Sequence, residues 1–186
     1  MRTGKDVRTM LAEGNSAYVE SADHGLLARL AADGQARRIA VLTCSDARVV
    51  PERVFDLPLG EAFVVRMPGN CVSDRSVLGS IEYAVNRLGV QAVVVLGHTD
   101  CGAVKGTLSC SCGEGLSSVV AEINKARSDL AQEHAGDVVA VTRANVKLQM
   151  SALMERSPAI GAAVGSGHVE LIGAMYDLST GEVEFL

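Results

Sequence analysis

The stretch IAVLTCSDAR, residues 39–48, joins a short apolar, β-prone run directly to a cysteine, an aspartate and an arginine. Two more apolar runs follow at residues 62–65 and 92–96, and none of the three alternates polar with apolar residues. Continuous apolar strands are typical of a parallel sheet that is covered on both faces. Residues 39–48 therefore predict the first strand of an α/β domain, with polar residues at its carboxyl end.

Helical patterns lie between and after these runs. Residues 73–88 carry apolar residues on one helical face, with Ser73 or Asp74 as the N-cap and Gly89 as the stop signal. The remaining predicted elements are helices over 116–133 and 138–156, a fourth strand over 169–176 and a hairpin partner over 183–186. We predict an α/β fold: a mainly parallel four-stranded sheet with flanking helices and a C-terminal antiparallel edge strand.

The chain of 186 residues has no internal repeat and no linker of disordered composition, so one domain over 1–186 is expected. Residues 1–38 are predicted to be helical; Leu26, Leu27 and Leu30 lie at helical spacing, and Gly34 follows as a stop signal. A helical segment ahead of the first strand often packs outside the sheet or on a partner subunit. Residues 1–38 are therefore interpreted as an N-terminal helical arm.

The composition excludes several classes of protein. With 48% hydrophobic and 21% charged residues, the chain has enough apolar surface for a packed core, which rules out intrinsic disorder. Only 3% aromatic residues and a net charge of −5 disfavour a nucleic-acid partner. No apolar stretch approaches the roughly 18 residues of a membrane helix. Five cysteines, without a recognisable secretory signal, favour the cytoplasm and thiols that serve metal binding or chemistry.

Metal-binding residue types follow the first and third predicted strands. Cys44 comes after the first strand, and His98 and Cys101 come after the third. If these strands are neighbours, their exit loops bring two thiolates and an imidazole together, a ligand set that suits Zn²⁺. Asp46 could reach the fourth metal position or its water, and Arg48 could hold Asp46 in an ion pair. Each residue alone is more simply a buried small side chain or a loop histidine, so the hypothesis depends on their combination.

These motifs resemble those of the β-class carbonic anhydrases. In that family Cys-x-Asp-x-Arg is followed by His-x-x-Cys; here the motifs read CSDARV at 44–49 and GHTDCG at 97–102, with 56 positions between the two cysteines. The similarity extends over nearly the whole chain and includes GEAFVVR at 60–66, SIEYAV at 80–85 and GAMYDL at 173–178. The resemblance implies reversible hydration of CO₂ to bicarbonate and a proton by attack of zinc-bound hydroxide.

The resemblance also implies roles for individual residues. One Zn²⁺ per chain would be held by Cys44, His98 and Cys101. Asp46 and Arg48 would form a dyad in which Asp46 accepts a hydrogen bond from the zinc-bound water. In the closed state of the family, Asp46 leaves Arg48 and takes the fourth metal position.

A substrate pocket and an oligomer are implied in the same way. Gln35 matches a glutamine that contacts substrate, Phe63 and Tyr83 match aromatic pocket positions, and the backbone N–H of Gly102 can face the pocket. The family further implies a homodimer or a dimer of dimers. In it the active site lies at the interface, and the N-terminal helix crosses onto the partner.

Two alternatives remain open at this point. The same zinc site could hydrolyse CS₂ or COS, since relatives within the family do so. Alternatively, Cys44, Cys101, Cys110 and Cys112 could form a non-catalytic zinc or redox site, which would leave Asp46–Arg48 and Gln35 without a role. Two neighbouring cysteines such as Cys110 and Cys112 chelate an ion poorly without further ligands, and a flexible loop with incidental thiols is the preferred interpretation.

Overall fold

A computed structural model describes residues 6–35 and 38–186 of the chain. The chain falls into two compact units, one up to residue 36 and one from residue 37 onward. The described residues of the first unit form two helices, α1 (Val7–Ser21) and α2 (His24–Asp33). The Asp23 carboxylate accepts a hydrogen bond from the Leu26 amide at 2.9 Å, and Gly34 ends α2 with a φ of 80°. The helix predicted before Gly34 is therefore confirmed.

A five-stranded sheet forms the centre of the second unit, in the order β2-β1-β3-β4-β5. Its strands are β1 (Ile39–Thr43), β2 (Ala62–Arg66), β3 (Ala92–His98), β4 (Glu170–Tyr176) and β5 (Val183–Phe185). The first four strands are parallel, and β5 pairs with β4 antiparallel. The predicted fold class is confirmed. Strands β1 and β3 are direct neighbours, which is the condition on which the metal-site hypothesis depended.

The helices of the second unit agree with the sequence to different degrees. They are α3 (Pro51–Val54), α4 (Arg75–Tyr83), α5 (Gly102–Leu108), α6 (Ser117–Ser128), α7 (Val138–Arg156) and α8 (Pro158–Gly165). The bounds of α7 are those predicted. The predicted helix over 73–88 is α4 followed by a wider π-type turn, and it ends at Gly89 with a φ of 66°. The helix predicted over 116–133 was too long, because the amides of Leu130 and His134 donate to carbonyls three residues earlier and tighten the chain into turns.

The core occupies both faces of the sheet. Ala40 and Leu42 of β1 belong to the cluster that α4, α7 and α8 cover, whereas Val41 belongs to the cluster on the opposite face. Each fully buried aliphatic side chain of this kind contributes roughly 1.5–3 kcal/mol relative to exposure. Gly97 lies where α7 crosses β3, and a Cβ there would stand 2.6 Å from Val146 Cγ2. The sheet and α7 are therefore in close contact one residue before His98.

Among the described residues, no helix combines the length and the apolar character needed to cross a membrane.

Candidate metal centre

Three elements supply the cluster at the carboxyl edge of the sheet. Cys44 directly follows β1, His98 is the last residue of β3, and Cys101 immediately precedes α5. The ligand atoms of the three residues all lie within 4.8 Å of one another, and all three residues are buried. Parallel strands that end at the same edge thus bring two sulfur atoms and one imidazole to one point, as the sequence predicted for neighbouring strands.

The turn that carries His98 and Cys101 is fixed to the end of β4. The Thr99 amide donates to the Tyr176 carbonyl at 2.9 Å, and the Thr99 hydroxyl accepts from the Leu178 amide at 3.0 Å. Asp100 completes the turn with a φ of 56°, in the left-handed region that aspartate tolerates better than most residues. The spacing of two residues between the histidine and the second cysteine is therefore set by a rigid turn.

The protonation of the His98 ring follows from its contacts. Nδ1 lies 2.8 Å from the carbonyl oxygen of Thr99, which can only accept, so Nδ1 carries the proton. Nε2 is buried and has no hydrogen-bond partner among the described residues. A buried nitrogen lone pair without a donor is costly unless something else binds it. Together with the two nearby sulfurs, this orphaned atom shows that the site fits a divalent zinc ion.

The two thiols of the cluster differ in acidity. The hydrogen bond from Cys101 lowers the pKa of Cys44 despite its burial, and contacts from His98 and Gly69 lower it further. The same hydrogen bond to Cys44, together with burial, raises the pKa of Cys101. Burial alone would lower the pKa of His98, but the neighbouring Cys44 sulfur and its negative charge raise it. One sulfur is thus already stabilised as a thiolate, the form that binds metal.

A buried backbone amide forms a hydrogen bond to the Cys44 sulfur. The Gly69 N–H donates to Cys44 Sγ at 3.3 Å. Gly69 has a φ of 66°, and a Cβ on it would lie 3.1 Å from Ile123 Cδ1. The chain therefore needs a glycine at this position in order to bring the amide to the sulfur.

The Asp46–Arg48 pair lies beside the cluster. Arg48 Nε and Nη2 donate to the two carboxylate oxygens of Asp46 at 3.0 and 2.7 Å, and the Arg48 amide adds a third bond at 2.9 Å. These bonds hold the pKa of Asp46 well below its usual range. Asp46 is not part of the three-residue metal cluster of the described chain. The carboxylate is therefore held by Arg48 in this structure.

The sequence analysis assigned no role to Arg66 or Asp100. Arg66 Nη2 donates to the carbonyls of Asp46 and Val49 at 2.6 and 2.7 Å, and its Nε donates to the Cys44 carbonyl at 3.3 Å. Asp100 accepts from Arg48 Nη1 at 3.2 Å and from Lys105 Nζ at 2.7 Å. An arginine at the end of β2, beside β1 in the sheet, was the only available signal for the first contact. Nothing in the spacing indicated the second.

The aromatic residues of the predicted pocket lie away from the metal cluster of their own chain. Phe63 on β2 and Tyr83 at the end of α4 have ring centroids 6.1 Å apart. Phe63 pairs with Ala40, four residues before Cys44, and thus lies about 13 Å along the sheet from that residue. Gly102 is exposed at the start of α5. Gln35 belongs to the N-terminal unit.

The remaining cysteines lie outside the cluster. Burial raises the pKa of Cys71 to about 12, so that this residue stays a neutral thiol. Cys110 is exposed, and Cys112 packs against Gly106 on α5. None of the three is in the metal cluster of the described chain. The arrangement therefore does not favour a four-sulfur site.

A parallel sheet with two cysteines, a histidine and a carboxylate–arginine pair at its carboxyl edge defines a metal-dependent enzyme of the α/β class. The chain belongs to the β-class carbonic anhydrase family, and the family model described as "Carbonic anhydrase" matches residues 39–183. The protein is accordingly a zinc-dependent carbonic anhydrase that hydrates CO₂. Neither hydrolysis of CS₂ or COS nor a non-catalytic zinc site is favoured.

Individual relatives agree with this assignment. The carbonic anhydrase of Pseudomonas aeruginosa is 37% identical over 164 residues, covering 82% of this chain and 74% of the relative. The crystal structure of a β-carbonic anhydrase from Aspergillus fumigatus aligns with a TM-score of 0.82 at 28% identity, covering 96% of this chain and 89% of the other. A structure described as a tetrameric β-carbonic anhydrase, from Sordaria macrospora, aligns with a TM-score of 0.82 at 26% identity, covering 96% and 95%.

Proposed function

We propose that Cys44, His98 and Cys101 are the protein ligands of the catalytic zinc. The observation that carries this assignment is the buried, unpartnered Nε2 of His98, in a cluster whose three ligand atoms lie within 4.8 Å of one another. Catalytic zinc sites use three protein ligands, whereas structural sites use four. When bound, zinc lowers the pKa of a coordinated water into the neutral range, a property for which carbonic anhydrases themselves are the standard example.

Asp46 orients the attacking water in this proposal. Its carboxylate accepts a hydrogen bond from the water, so that the oxygen lone pair points towards CO₂. Arg48 positions the carboxylate through the hydrogen bonds to both of its oxygens. Because the pKa of Asp46 is lowered, the group stays an acceptor throughout the neutral range. If released from Arg48, the same carboxylate would take the fourth metal position, as the closed state of the family implies.

The substrate pocket is completed by a second copy of the chain. Gln35, Phe63, Tyr83 and the Gly102 amide line it in this proposal, as the family resemblance implies. The position of Phe63, about 13 Å along the sheet from Cys44, supports a pocket that the residues of one chain do not close alone. The half-exposed Tyr83 is available to a partner subunit.

The helical arm is the proposed dimer contact. Helix α1 has no buried residue in the described chain, and it exposes the large apolar side chains of Val7, Met10, Leu11, Tyr18 and Val19. A second copy of this chain is the occupant we assign to these side chains. Size-exclusion chromatography with light scattering should give a molecular mass of at least twice the chain mass of 19.4 kDa. Leu11→Asp should lower the measured mass; an unchanged mass would exclude α1 from the contact.

We infer a cytoplasmic location from the thiols. All five cysteines are free, and buried free thiols persist in reducing compartments. Cell fractionation with an activity assay tests this inference, and activity in a secreted fraction would contradict it.

The assignment of the site is tested by measuring bound zinc and CO₂ hydration on the same preparation. We expect one zinc per chain and hydration measurable by stopped flow. A preparation that holds one zinc per chain and does not hydrate CO₂ would refute the catalytic role. Faster release of H₂S from CS₂ than turnover of CO₂ would instead assign the site to the alternative substrate.

A further inference from the structure

Two buried amide side chains on α7 face the segment 69–72, which lies beside the metal cluster. Asn145 and Gln149 are one helical turn apart, and both are fully buried. Neither residue has a role in the mechanism described above. Buried amides are costly unless their hydrogen bonds are satisfied, so the partners of these two side chains identify what they hold.

The orientation of both amides follows from their partners. The Val72 amide can only donate, so the Gln149 atom 2.7 Å from it is the carbonyl Oε1. Gln149 Nε2 then donates to Asn145 Oδ1 at 2.9 Å. Asn145 is left with Nδ2 towards the Gly69 carbonyl, to which it donates at 2.7 Å. The direction of each hydrogen bond in the chain from Val72 to Gly69 is therefore fixed.

An ion pair between Glu122 and Arg156 contacts this hydrogen-bond network at its Val72 end. Gln149 Nε2 also lies 3.4 Å from Glu122 Oε2, and Arg156 Nη2 donates to Glu122 Oε1 at 2.7 Å. Arg156 Nη1 donates in turn to the Val72 carbonyl. The amides are thus held between α6, α7 and the loop, which leaves them little freedom to rotate.

Gly69 connects this polar cluster to the metal site. Its carbonyl accepts from Asn145, and its N–H donates to Cys44 Sγ at 3.3 Å. The positive φ of Gly69 makes both contacts possible from one residue. The Cys71 thiol is a second, weaker donor to the same carbonyl at 3.3 Å. Asn145 is therefore the strongest contact that holds Gly69 in the orientation directed at the sulfur.

We propose that Asn145 is a positioning residue for the zinc ligand Cys44, acting through the Gly69 peptide. This inference rests on the proposed ligand role of Cys44. An N–H bond to a thiolate stabilises its charge and fixes the side-chain rotamer, so it decides how firmly the sulfur holds the metal. Partners that orient metal ligands typically change metal affinity by about 10–100-fold when they are removed.

The test compares two buried polar side chains, each replaced by alanine. Asn145→Ala removes the donor to the Gly69 carbonyl. Ser157→Ala is the matched control: Ser157 is also fully buried, but its side chain hydrogen-bonds to Glu82 and the Ile160 amide and not to segment 69–72. Zinc release to a chromogenic chelator should be faster by about 10–100-fold in Asn145→Ala and unchanged in Ser157→Ala.

Cobalt substitution supplies a second readout that a purely structural role would not alter. The sulfur-to-cobalt charge-transfer band should shift in Asn145→Ala and keep the wild-type position in Ser157→Ala. If Asn145→Ala does not fold, Gln149→Met tests the same chain one bond further out, with a smaller increase in release rate expected.

The outcomes separate the two proposals. If the wild-type protein binds no zinc, the proposed function fails. If the wild type binds zinc but the folded Asn145 or Gln149 variant releases it at the wild-type rate with an unshifted cobalt band, the positioning role is overturned and the proposed function stands.

Discussion

The two sides of the metal cluster are constructed differently. The inner side, formed by Gly69, Asn145 and Gln149, is buried and uses uncharged hydrogen bonds. The outer side, formed by Asp46, Arg48 and Asp100, uses charged groups; the side chains of Arg48 and Asp100 are 52% and 54% exposed. Buried amides lose their partners at a high free-energy cost, whereas exposed ion pairs break for about 1 kcal/mol or less. The inner side therefore holds the Cys44 sulfur in one position, whereas the exposed Arg48 and Asp100 of the outer side can rearrange at lower cost.

The largest effect on zinc content and activity is expected from replacing Cys44, which belongs to the metal cluster itself. Cys44→Ser replaces a thiolate with a hydroxyl that does not ionise in the neutral range, so bound zinc and CO₂ hydration should both be lost. Cys110→Ser is the control, because Cys110 is exposed and lies outside the cluster. Zinc analysis and stopped-flow hydration check both variants. Full zinc content in Cys44→Ser would remove the residue from the ligand set.

Asp46→Asn tests the carboxylate of the outer side. The amide keeps the size of the side chain but loses the carboxylate acceptor, and kcat/KM should fall by about 100-fold or more while zinc is retained. Because Arg48 holds the pKa of Asp46 well below its usual range, the wild-type group stays ionised at about pH 6 and about pH 8. The fall in kcat/KM caused by Asp46→Asn should therefore be similar at the two pH values.

Asp129→Asn, an exposed aspartate at the end of α6, is the control and should keep wild-type activity. If the loss in Asp46→Asn disappeared at the lower pH, the ionised carboxylate would not be the acting form.

Gly69→Ala tests the inner side directly. Its backbone has a φ of 66°, and a Cβ would stand 3.1 Å from Ile123 Cδ1 and 3.4 Å from Ala103 Cβ. The strained backbone should reduce the free energy of unfolding by about 1–3 kcal/mol, measured by urea denaturation. Gly113→Ala, at a position with an ordinary φ of −70° and open space around it, should change stability little. Equal effects in the two variants would show that the inner side is no less tolerant than a loop.

The parts of the site that could be predicted from sequence were those coded by neighbouring residues. Cys44 follows an apolar run directly, and His98 and Cys101 share one turn, so the strand pattern predicted one common site on the condition that the first and third strands are neighbours. The parallel sheet could also be predicted from local sequence, because strands that are buried on both faces consist of continuous apolar runs. Asp46 and Arg48, two residues apart, were also within reach of local reasoning.

The inner side was not predictable in this way. Asn145 lies 76 positions from Gly69 in the chain, and a polar residue within a long helix is ordinarily exposed. Only the tertiary packing of α7 against the sheet, made close by Gly97, turns these amides inward. The role of Arg66 depended similarly on the register between β1 and β2, which fixes which carbonyls its guanidinium reaches. Long-range contacts of this kind produce no recognisable pattern of residue spacing in the sequence.

The smallest effect is expected for the outermost charge. Asp100→Asn removes the carboxylate that pairs with Arg48 and Lys105 but keeps a residue that tolerates the φ of 56° at this turn, so the backbone should be preserved. Since both ion pairs are exposed, kcat/KM should fall by less than about fivefold. Added salt should reduce the difference in kcat/KM between the wild type and Asp100→Asn. Screening weakens the ion pairs of Asp100 in the wild type, and the variant lacks these pairs. Rates measured at low and high ionic strength check this. If Asp100→Asn were as damaging as Asp46→Asn, Arg48 would need both carboxylates, and the outer side would be as rigid as the inner one.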